Sequence, residues 1–271
     1  MKKYIDKKFN YLIPLKTNCI RIGSKSDGGY VIRERDVDLI EKIISFGMGN
    51  NHEDWSFEQE FLKKKKVEII FYDHTVSIKN YISNIFTNLR RFLKLRYTFK
   101  DLTKSIINLI KYIKFIRINE IKHFQKKITF IPKFYSEKNP KVILDDLVSN
   151  KILLKIDIEG GEYEIIDEIL KCEDKIVCIL IEFHNINAVE ELFEKKIKNL
   201  KTKFEIIHLH GNNHDGTLDS NLPITLEITF VNKKYLKDID GEKYNYDFPI
   251  ENLDFPNNKL KPDIAFSFKK Y

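Results

Sequence analysis

Short apolar runs alternate along the chain with longer segments in which apolar residues recur every three or four positions. The first pattern predicts buried strands and the second predicts amphipathic helices. The predicted strands cover residues 20–33 (two short strands around a Ser-Asp-Gly-Gly turn), 42–46, 67–72, 128–134, 152–157, 176–183, 204–210 and 224–232. The predicted helices cover residues 54–65, two stretches within 77–124, a stretch near 142–149, and residues 163–171 and 188–201.

Strands that alternate with helices are typical of an α/β protein whose mainly parallel sheet is covered by helices on both faces. The run at 176–183 is the most apolar, so we expect a central strand there. The last two strands, 204–210 and 224–232, have no convincing helix between them. They are therefore predicted to form an antiparallel pair at one side of the sheet.

The 271 residues carry a net charge of +7, and the excess positive charge is concentrated in one segment. Residues 79–127 contain 13 Lys or Arg and 2 Asp or Glu, so the rest of the chain is net negative. Two apolar stripes in 77–124 need a surface to cover, which predicts a basic helical insertion. We expect one domain over 1–271, with a strand hairpin region at 1–35 and an extension at 233–271.

Cysteine usage and apolar run length bear on the compartment. Cys19, Cys172 and Cys178 form no CxxC pair, which favours a reducing environment and disfavours a thiolate zinc site. No signal-peptide core is recognisable, and no run approaches the length of about 18 apolar residues that spans a membrane. These features predict a cytoplasmic protein without a transmembrane segment.

A glycine-containing turn follows the strand at 42–46. Gly47 and Gly49 let the backbone turn sharply and approach a ligand closely. The dinucleotide pattern GxGxxG requires a third glycine where His52 stands, which argues against a pyrophosphate cofactor. Asp73 ends the next strand, where a carboxylate can accept hydrogen bonds from ribose hydroxyls. Together the turn and the acid predict a nucleoside-binding site; either one alone is also compatible with an ordinary turn or loop.

Three acids surround a Gly-Gly turn after the strand at 152–157. Asp157, Glu159 and Glu162 lie where ligands bind in open α/β sheets, at the carboxyl end of a buried strand. Carboxylates there can orient a substrate hydroxyl, accept its proton, or hold a sulfonium or metal cation. The alternative is that Glu159 and Glu162 cap the helix that follows.

In order along the chain, SFGMGNN, SFEQEF, FYDHT, LLKIDIEGGEYEII and LIEFH closely resemble the FkbM-type S-adenosylmethionine-dependent methyltransferases. The match runs from about residue 20 to residue 231, and IDIEGGEYE is its most specific part. The resemblance implies a Rossmann-like class I methyltransferase fold, with a seven-stranded sheet and an antiparallel last strand. It also implies that Gly47, Gly49 and Asn50 line the methionine end of S-adenosyl-L-methionine, that Asp73 holds the ribose, and that Asp157 lies beside the transferred methyl. His74, next to Asp73, is a further candidate for contact with the cofactor.

Two pairs of polar residues lie two positions apart at strand ends, so the members of each pair share a face. Glu182 and His184 form one pair, and His208 and His210 form the other. His184 is predicted to be the general base that removes a hydroxyl proton, because imidazole titrates near neutral pH. We assign no residue to a metal; the alternative is a divalent ion held by His208, His210 and a carboxylate.

The sequence predicts methyl transfer to a hydroxyl of a sugar or glycan precursor, with Asp157, Glu159, Glu182 and His184 as the candidate catalytic residues. Nitrogen and phosphoryl-linked acceptors remain alternatives. The basic segment at 79–127 is interpreted as a lid for a phosphorylated or nucleotide-linked acceptor. It is alternatively a module that binds nucleic acid or an anionic membrane surface. We expect no nucleic-acid partner, because the basic residues carry no recognition motif; peripheral contact with a membrane stays open.

Overall fold

The structure is a computed structural model of the chain. This structure describes residues 3–47, 49, 55–73, 76–94, 96, 98–122, 128–131, 151–236 and 244–270. The strands are β1 Cys19–Ile22, β2 Tyr30–Arg33, β3 Lys42–Phe46, β4 Glu68–Tyr72, β5 Ile128–Ile131, β6 Ile152–Ile156, β7 Ile176–Phe183, β8 Phe204–Gly211, β9 Leu226–Asn232, β10 Asp247–Phe248 and β11 Phe266–Ser267. The α-helices are α1 Asp36–Leu39, α2 Ser56–Lys64, α3 Ile78–Leu93, α4 Phe99–Lys122, α5 Glu162–Leu170 and α6 Glu190–Lys201. Short 3-10 helices cover Lys7–Leu12, Glu173–Lys175 and Lys233–Tyr235.

Seven of these strands form one sheet in the order β5-β4-β3-β6-β7-β9-β8. The pairs from β5 to β7 are parallel, whereas β9 runs antiparallel to both of its neighbours, β7 and β8. The predicted antiparallel pairing of the last two strands is therefore confirmed. β9 is inserted between β7 and β8, so β8 lies at the edge. The helix predicted near 142–149 lies outside the described residues.

Helices cover both faces of the sheet, as predicted. Neighbouring strand residues such as Ile43 and Ile44 point to opposite faces, and they belong to two separate buried clusters. One cluster packs the sheet against α5 and α6, and the other packs it against α2 and parts of α3 and α4. Strands buried on both faces are apolar at nearly every position, which is why β7 reads as a continuous apolar run.

The segment between β4 and β5 contains two helices, α3 and α4. Phe115 of α4 anchors it, since its ring lies 4.5 Å from that of Trp55 and 6.0 Å from that of Phe71. The apolar stripe of α3 is not covered by the described part of the chain; Phe86 is 60% exposed and Leu93 is 72% exposed. The expectation that the stripe covers a surface is therefore wrong for most of α3, where Tyr81 is the buried residue. None of the helices in the described residues has the length and the apolar composition of a membrane-spanning segment.

The chain ends pack onto the sheet. The predicted N-terminal strands are confirmed as the antiparallel pair β1–β2, and the Thr229 hydroxyl of β9 donates a hydrogen bond to the Val31 carbonyl. In the C-terminal extension, Phe248, Phe266 and Phe268 join the core cluster on the side of α5 and α6. The extension therefore brings additional polar residues to the region around β8 and β9.

Candidate active site

The turn after β3 is joined to the end of β6. Gly47 adopts a φ of +78°, a conformation that L side chains rarely adopt, and a Cβ atom on it would overlap the carbonyl oxygen of Asp157. The Asp157 N–H donates to the Phe46 carbonyl at 2.8 Å, and the Gly47 N–H donates to the Tyr72 carbonyl at 3.0 Å. The ends of β4, β3 and β6 are thus held together around a glycine backbone.

The acid at the end of β4 is tied to the same turn. Asp73 is buried, and its Oδ2 accepts a hydrogen bond from the Gly49 N–H at 3.1 Å. This contact places the Asp73 carboxylate at the same edge as the glycines. Two other predicted cofactor contacts, Asn50 and His74, lie outside the described residues and stay predictions.

The Asp157–Glu162 turn begins α5 and places its acids differently. Glu159 has a φ of +54° and a side chain that is 86% exposed, whereas the Asp157 side chain is 29% exposed. Glu162 is fully buried, and its Oε2 accepts a hydrogen bond from the Gly160 N–H at 2.8 Å. Glu162 therefore supports the turn before the helix, in line with the alternative that it caps this helix. Its other carboxylate oxygen contacts a second residue.

That second residue is His184, which follows β7. The Glu162 Oε1 accepts the His184 backbone N–H at 2.6 Å and lies 3.2 Å from its Nδ1. The other ring nitrogen, Nε2, lies 3.8 Å from Asp157 Oδ1 and 3.6 Å from Glu159 Oε2. The four candidate catalytic residues meet here, since Glu182 Oε1 also lies 3.7 Å from the same nitrogen.

Neighbours that the sequence analysis did not identify complete this cluster. Asn212, just after β8, donates from Nδ2 to Glu182 Oε1 at 2.7 Å, and the Tyr30 hydroxyl donates to Asp157 Oδ2 at 3.4 Å. Asn212 stands in the Gly-Asn-Asn loop at a strand end, and this position is the only sequence signal for it. Tyr30 belongs to the N-terminal hairpin, so the hairpin reaches the site.

The charges in the cluster shift each other's pKa values. Burial alone lowers the pKa of His184, but hydrogen bonding to Glu162 and the charges of Glu162, Asp157 and Glu159 outweigh it and raise the pKa to about 9. Burial raises the pKa of the Asp157 carboxyl, although Lys155 and His184 oppose the rise. Burial and the nearby Asp157 also raise the pKa of Glu182. At neutral pH the cluster therefore holds at least one proton.

A buried ion pair lies beneath the cluster. Lys155 Nζ of β6 is 3.2 Å from Glu58 Oε1 of α2, and both side chains are almost completely inaccessible. The Ser45 hydroxyl donates to the same carboxylate oxygen at 2.5 Å. The Lys155 ammonium is 5.0 Å from the centre of the Tyr30 ring. This pair connects β3, β6 and α2 directly under the strand ends.

The second histidine pair has other partners. His208 Nε2 lies 2.9 Å from Asp254 Oδ1, and His210 lies 3.2 Å from both Glu227 and Asp263. Burial lowers the pKa of His210, but these two acids and Asp254 raise it to about 10.

The charge of His210 in turn lowers the pKa of Glu227 against the effect of burial, and Arg21 adds to the lowering. Burial raises the pKa of Asp254, but His208 and His210 outweigh it and lower the value. His210 thus forms ion pairs that join β8 to β9 and to the C-terminal extension, and His208 lies beside Asp254 of the same extension.

The histidines at 208 and 210 are not the residues whose geometry suits a metal ion. Among the described residues, only Asp157, Glu182 and His184 form a group of three that can share an ion. The alternative metal site built on His208 and His210 is therefore not supported.

No family model matches the chain, and no curated protein matches it. The FkbM-type assignment stays a prediction. Among solved structures, the chain is similar to fibrillarin in its complex with Nop5p, with a TM-score of 0.38, 12% identity, and coverage of 72% of this chain and 73% of that chain. It is also similar to M. capricolum TrmK with S-adenosyl-homocysteine (TM-score 0.36, 13% identity, 76% and 70% covered) and to the 23S rRNA methyltransferase ErmE (0.34, 8%, 77% and 72%). All three TM-scores lie below 0.5.

Proposed function

We propose that the chain is an enzyme that transfers a methyl group from S-adenosyl-L-methionine to a hydroxyl of a sugar or glycan precursor. The observation that carries the proposal is the meeting of the glycine turn, Asp73 and Asp157 at the ends of three adjacent strands. The chain runs outward from β3 to β4 and β5 and then crosses back to β6. This is the topological switch point at which open α/β sheets bind ligands.

The glycine turn and Asp73 suit a nucleoside without a pyrophosphate. At Gly47 the Asp157 carbonyl occupies the space of a side chain, so the turn presents only its main chain at the strand ends. The methionine part of the cofactor is proposed to bind there. Asp73 is the carboxylate proposed to bind the ribose hydroxyls. The strand order, with a reversed β9 between β7 and β8, agrees with the class I methyltransferase fold that the resemblance implies.

The acceptor hydroxyl is proposed to lie beside Nε2 of His184. Its oxygen attacks the methyl carbon in line with the sulfonium, the C–S bond breaks, and the electron pair of that bond stays on sulfur. The hydroxyl proton leaves to a base, so the products are a methyl ether, S-adenosyl-L-homocysteine and a proton. The cluster of Asp157, Glu159, Glu182 and His184 is proposed to position the hydroxyl, and the exposed Glu159 carboxylate, 3.6 Å from His184 Nε2, is proposed to receive this proton.

Calorimetry with S-adenosyl-L-homocysteine tests the donor site. Asp73→Ala should weaken binding by about 1–3 kcal/mol, the scale of lost charge-assisted hydrogen bonds. Asp219→Ala, a change of an exposed acid in the loop between β8 and β9, is the matched control and should bind like the wild type. Unchanged affinity in a folded Asp73→Ala variant rejects the ribose assignment.

Transfer of a labelled methyl group tests the acceptor. Nucleotide-linked sugars and total RNA are compared as acceptors with the same enzyme and labelled S-adenosyl-L-methionine. Label in the sugar that survives alkaline hydrolysis supports an ether product. Label in RNA alone contradicts both the sugar acceptor and the expectation of no nucleic-acid partner.

A further inference from the structure

We propose that Asp157, Glu182 and His184 bind a divalent transition-metal ion. The three residues come from two neighbouring parallel strands, β6 and β7, whose paired ends include Ile156 opposite Ile181. Each residue offers one ligand atom, and the three atoms lie within 4.8 Å of one another. Binding of the ion does not depend on methyl transfer; its role in catalysis, described below, rests on the proposed function.

The distances are close to those of a bound site. Metal bonds from His and carboxylate ligands are about 2.0–2.2 Å long, so two ligands of one ion are at most about 4.4 Å apart. His184 Nε2 lies 3.8 Å from Asp157 Oδ1 and 3.7 Å from Glu182 Oε1. Both pairs satisfy this limit, and the oxygens of the third pair, Asp157 and Glu182, lie within 4.8 Å of each other.

The ligands are also oriented by a second layer of hydrogen bonds. Glu162 Oε1 lies 3.2 Å from His184 Nδ1, which directs Nε2 towards the two carboxylates. This carboxylate–imidazole arrangement is the one that supports metal-binding histidines in proteins. Glu162 is itself fixed by the Gly160 N–H, and Asn212 holds Glu182 Oε1. Surface acids that meet by chance lack such support.

The charge balance favours a cation as well. Four carboxylates, of Asp157, Glu159, Glu182 and Glu162, surround one imidazole, and two of them, Glu162 and Glu182, are buried. Buried carboxylates need a compensating charge, because their desolvation is costly. A divalent ion between Asp157, Glu182 and His184 supplies that charge at Nε2, the side of the imidazole on which Asp157, Glu159 and Glu182 converge.

One imidazole and two carboxylates suit Mn²⁺, Fe²⁺ or Zn²⁺ better than Ca²⁺, which prefers oxygen ligands alone. Three protein ligands leave coordination positions open, as catalytic metal sites do. The acceptor oxygen is proposed to occupy one of them, where the ion lowers the pKa of the hydroxyl. Acceptors with two adjacent oxygens that can chelate the ion are then preferred.

Titration of the metal-stripped full chain with Mn²⁺, followed by electron paramagnetic resonance, tests the site. We expect one saturable ion per chain and pulsed-resonance coupling to one imidazole nitrogen. His184→Ala should abolish the nitrogen coupling, and Glu182→Gln should weaken binding at least tenfold. Glu162→Gln should weaken it by about 10–100-fold, the usual effect of losing a supporting carboxylate. Glu164→Gln, an exposed acid in the same helix, is the matched control and should bind like the wild type.

Folding and cofactor binding are measured on the same samples. The backbone hydrogen bonds of His184 to Glu162 and Tyr163 remain available in His184→Ala, and circular dichroism checks that the variant is folded. No saturable binding to the wild type, or equal affinity in wild type, His184→Ala and Glu182→Gln, overturns the metal site. Binding of S-adenosyl-L-homocysteine without Mn²⁺ binding overturns the metal site alone, whereas Mn²⁺ binding without cofactor binding supports it and contradicts the proposed function.

Discussion

The close approach of β3 and β6 at Gly47 allows a sharp test of the proposed cofactor site. In Gly47→Ala, the new methyl group meets the Asp157 carbonyl oxygen, a backbone atom that is fixed at the end of β6. The substitution also places an L residue at a φ of +78°, a backbone conformation that L residues rarely adopt. The variant can fold only if the turn moves away from Asp157, which separates the two halves of the proposed site.

The two costs can be separated with a second glycine. Gly216 has a φ of +96°, but a Cβ atom there meets nothing within 4 Å. Gly216→Ala therefore measures the backbone term, which is about 1–2 kcal/mol. Gly47→Ala adds the overlap, and overpacking typically costs about 1–3 kcal/mol. The free energy of unfolding should therefore fall by about 2–5 kcal/mol at Gly47 and by clearly less at Gly216.

Urea denaturation of both variants gives these free energies, and calorimetry with S-adenosyl-L-homocysteine gives the affinities. We expect Gly216→Ala to bind like the wild type and Gly47→Ala to lose at least tenfold in affinity. Equal destabilisation by the two substitutions means that the overlap with Asp157 is not a feature of the folded protein. Full cofactor affinity in a folded Gly47→Ala variant refutes the placement of the cofactor beside this turn.

Two further predictions concern buried charges. Glu58→Gln removes the carboxylate that faces the Lys155 ammonium and should lower the free energy of unfolding in urea by about 3–5 kcal/mol. The double variant Glu58→Gln, Lys155→Met should recover most of this loss, because no buried charge is then left unpaired. A double variant no more stable than Glu58→Gln contradicts this account. The folded pKa of His210, about 10, exceeds its ordinary value of 6.5, so the stabilisation by Glu227 and Asp263 is complete below about pH 6.5 and disappears as the pH rises through about 10. Asp263→Asn should therefore cost about 1.5–3 kcal/mol at pH 6 and less at pH 10, and a cost that grows with pH refutes the assignment.

The sequence was sufficient for the positions of the sheet strands. The apolar run predicted at 176–183 coincides with β7, and the run at 42–46 coincides with β3. A strand that is buried on both faces must be apolar almost throughout, so its limits are visible locally. The glycine turn and Asp73 were found for the same reason, because they follow directly where such runs end.

The surface that covers a helix could not be predicted in this way. The stripe of α3 has helical periodicity, but in the structure Phe86 and Leu93 are exposed, and the segment between β4 and β5 is anchored through Phe115 of α4. Periodicity shows that one face of a helix is apolar. It contains no information about which other part of the chain, if any, lies against that face.

In the candidate site, too, local sequence predicted the positions of residues along the chain but not their contacts. Spacing along the chain placed Asp157 and His184 at strand ends, but the adjacency of β6 and β7 makes them neighbours. The partner of His184 Nδ1 is Glu162, which the local pattern also explained as a helix cap. Likewise, His208 and His210 have the spacing of metal ligands, yet Asp254 and Asp263 from the C-terminal extension pair with them. Local sequence determines where a strand ends and what its last residues are; which side chains meet there depends on strand order and on packing between distant segments, and only the tertiary structure decides that.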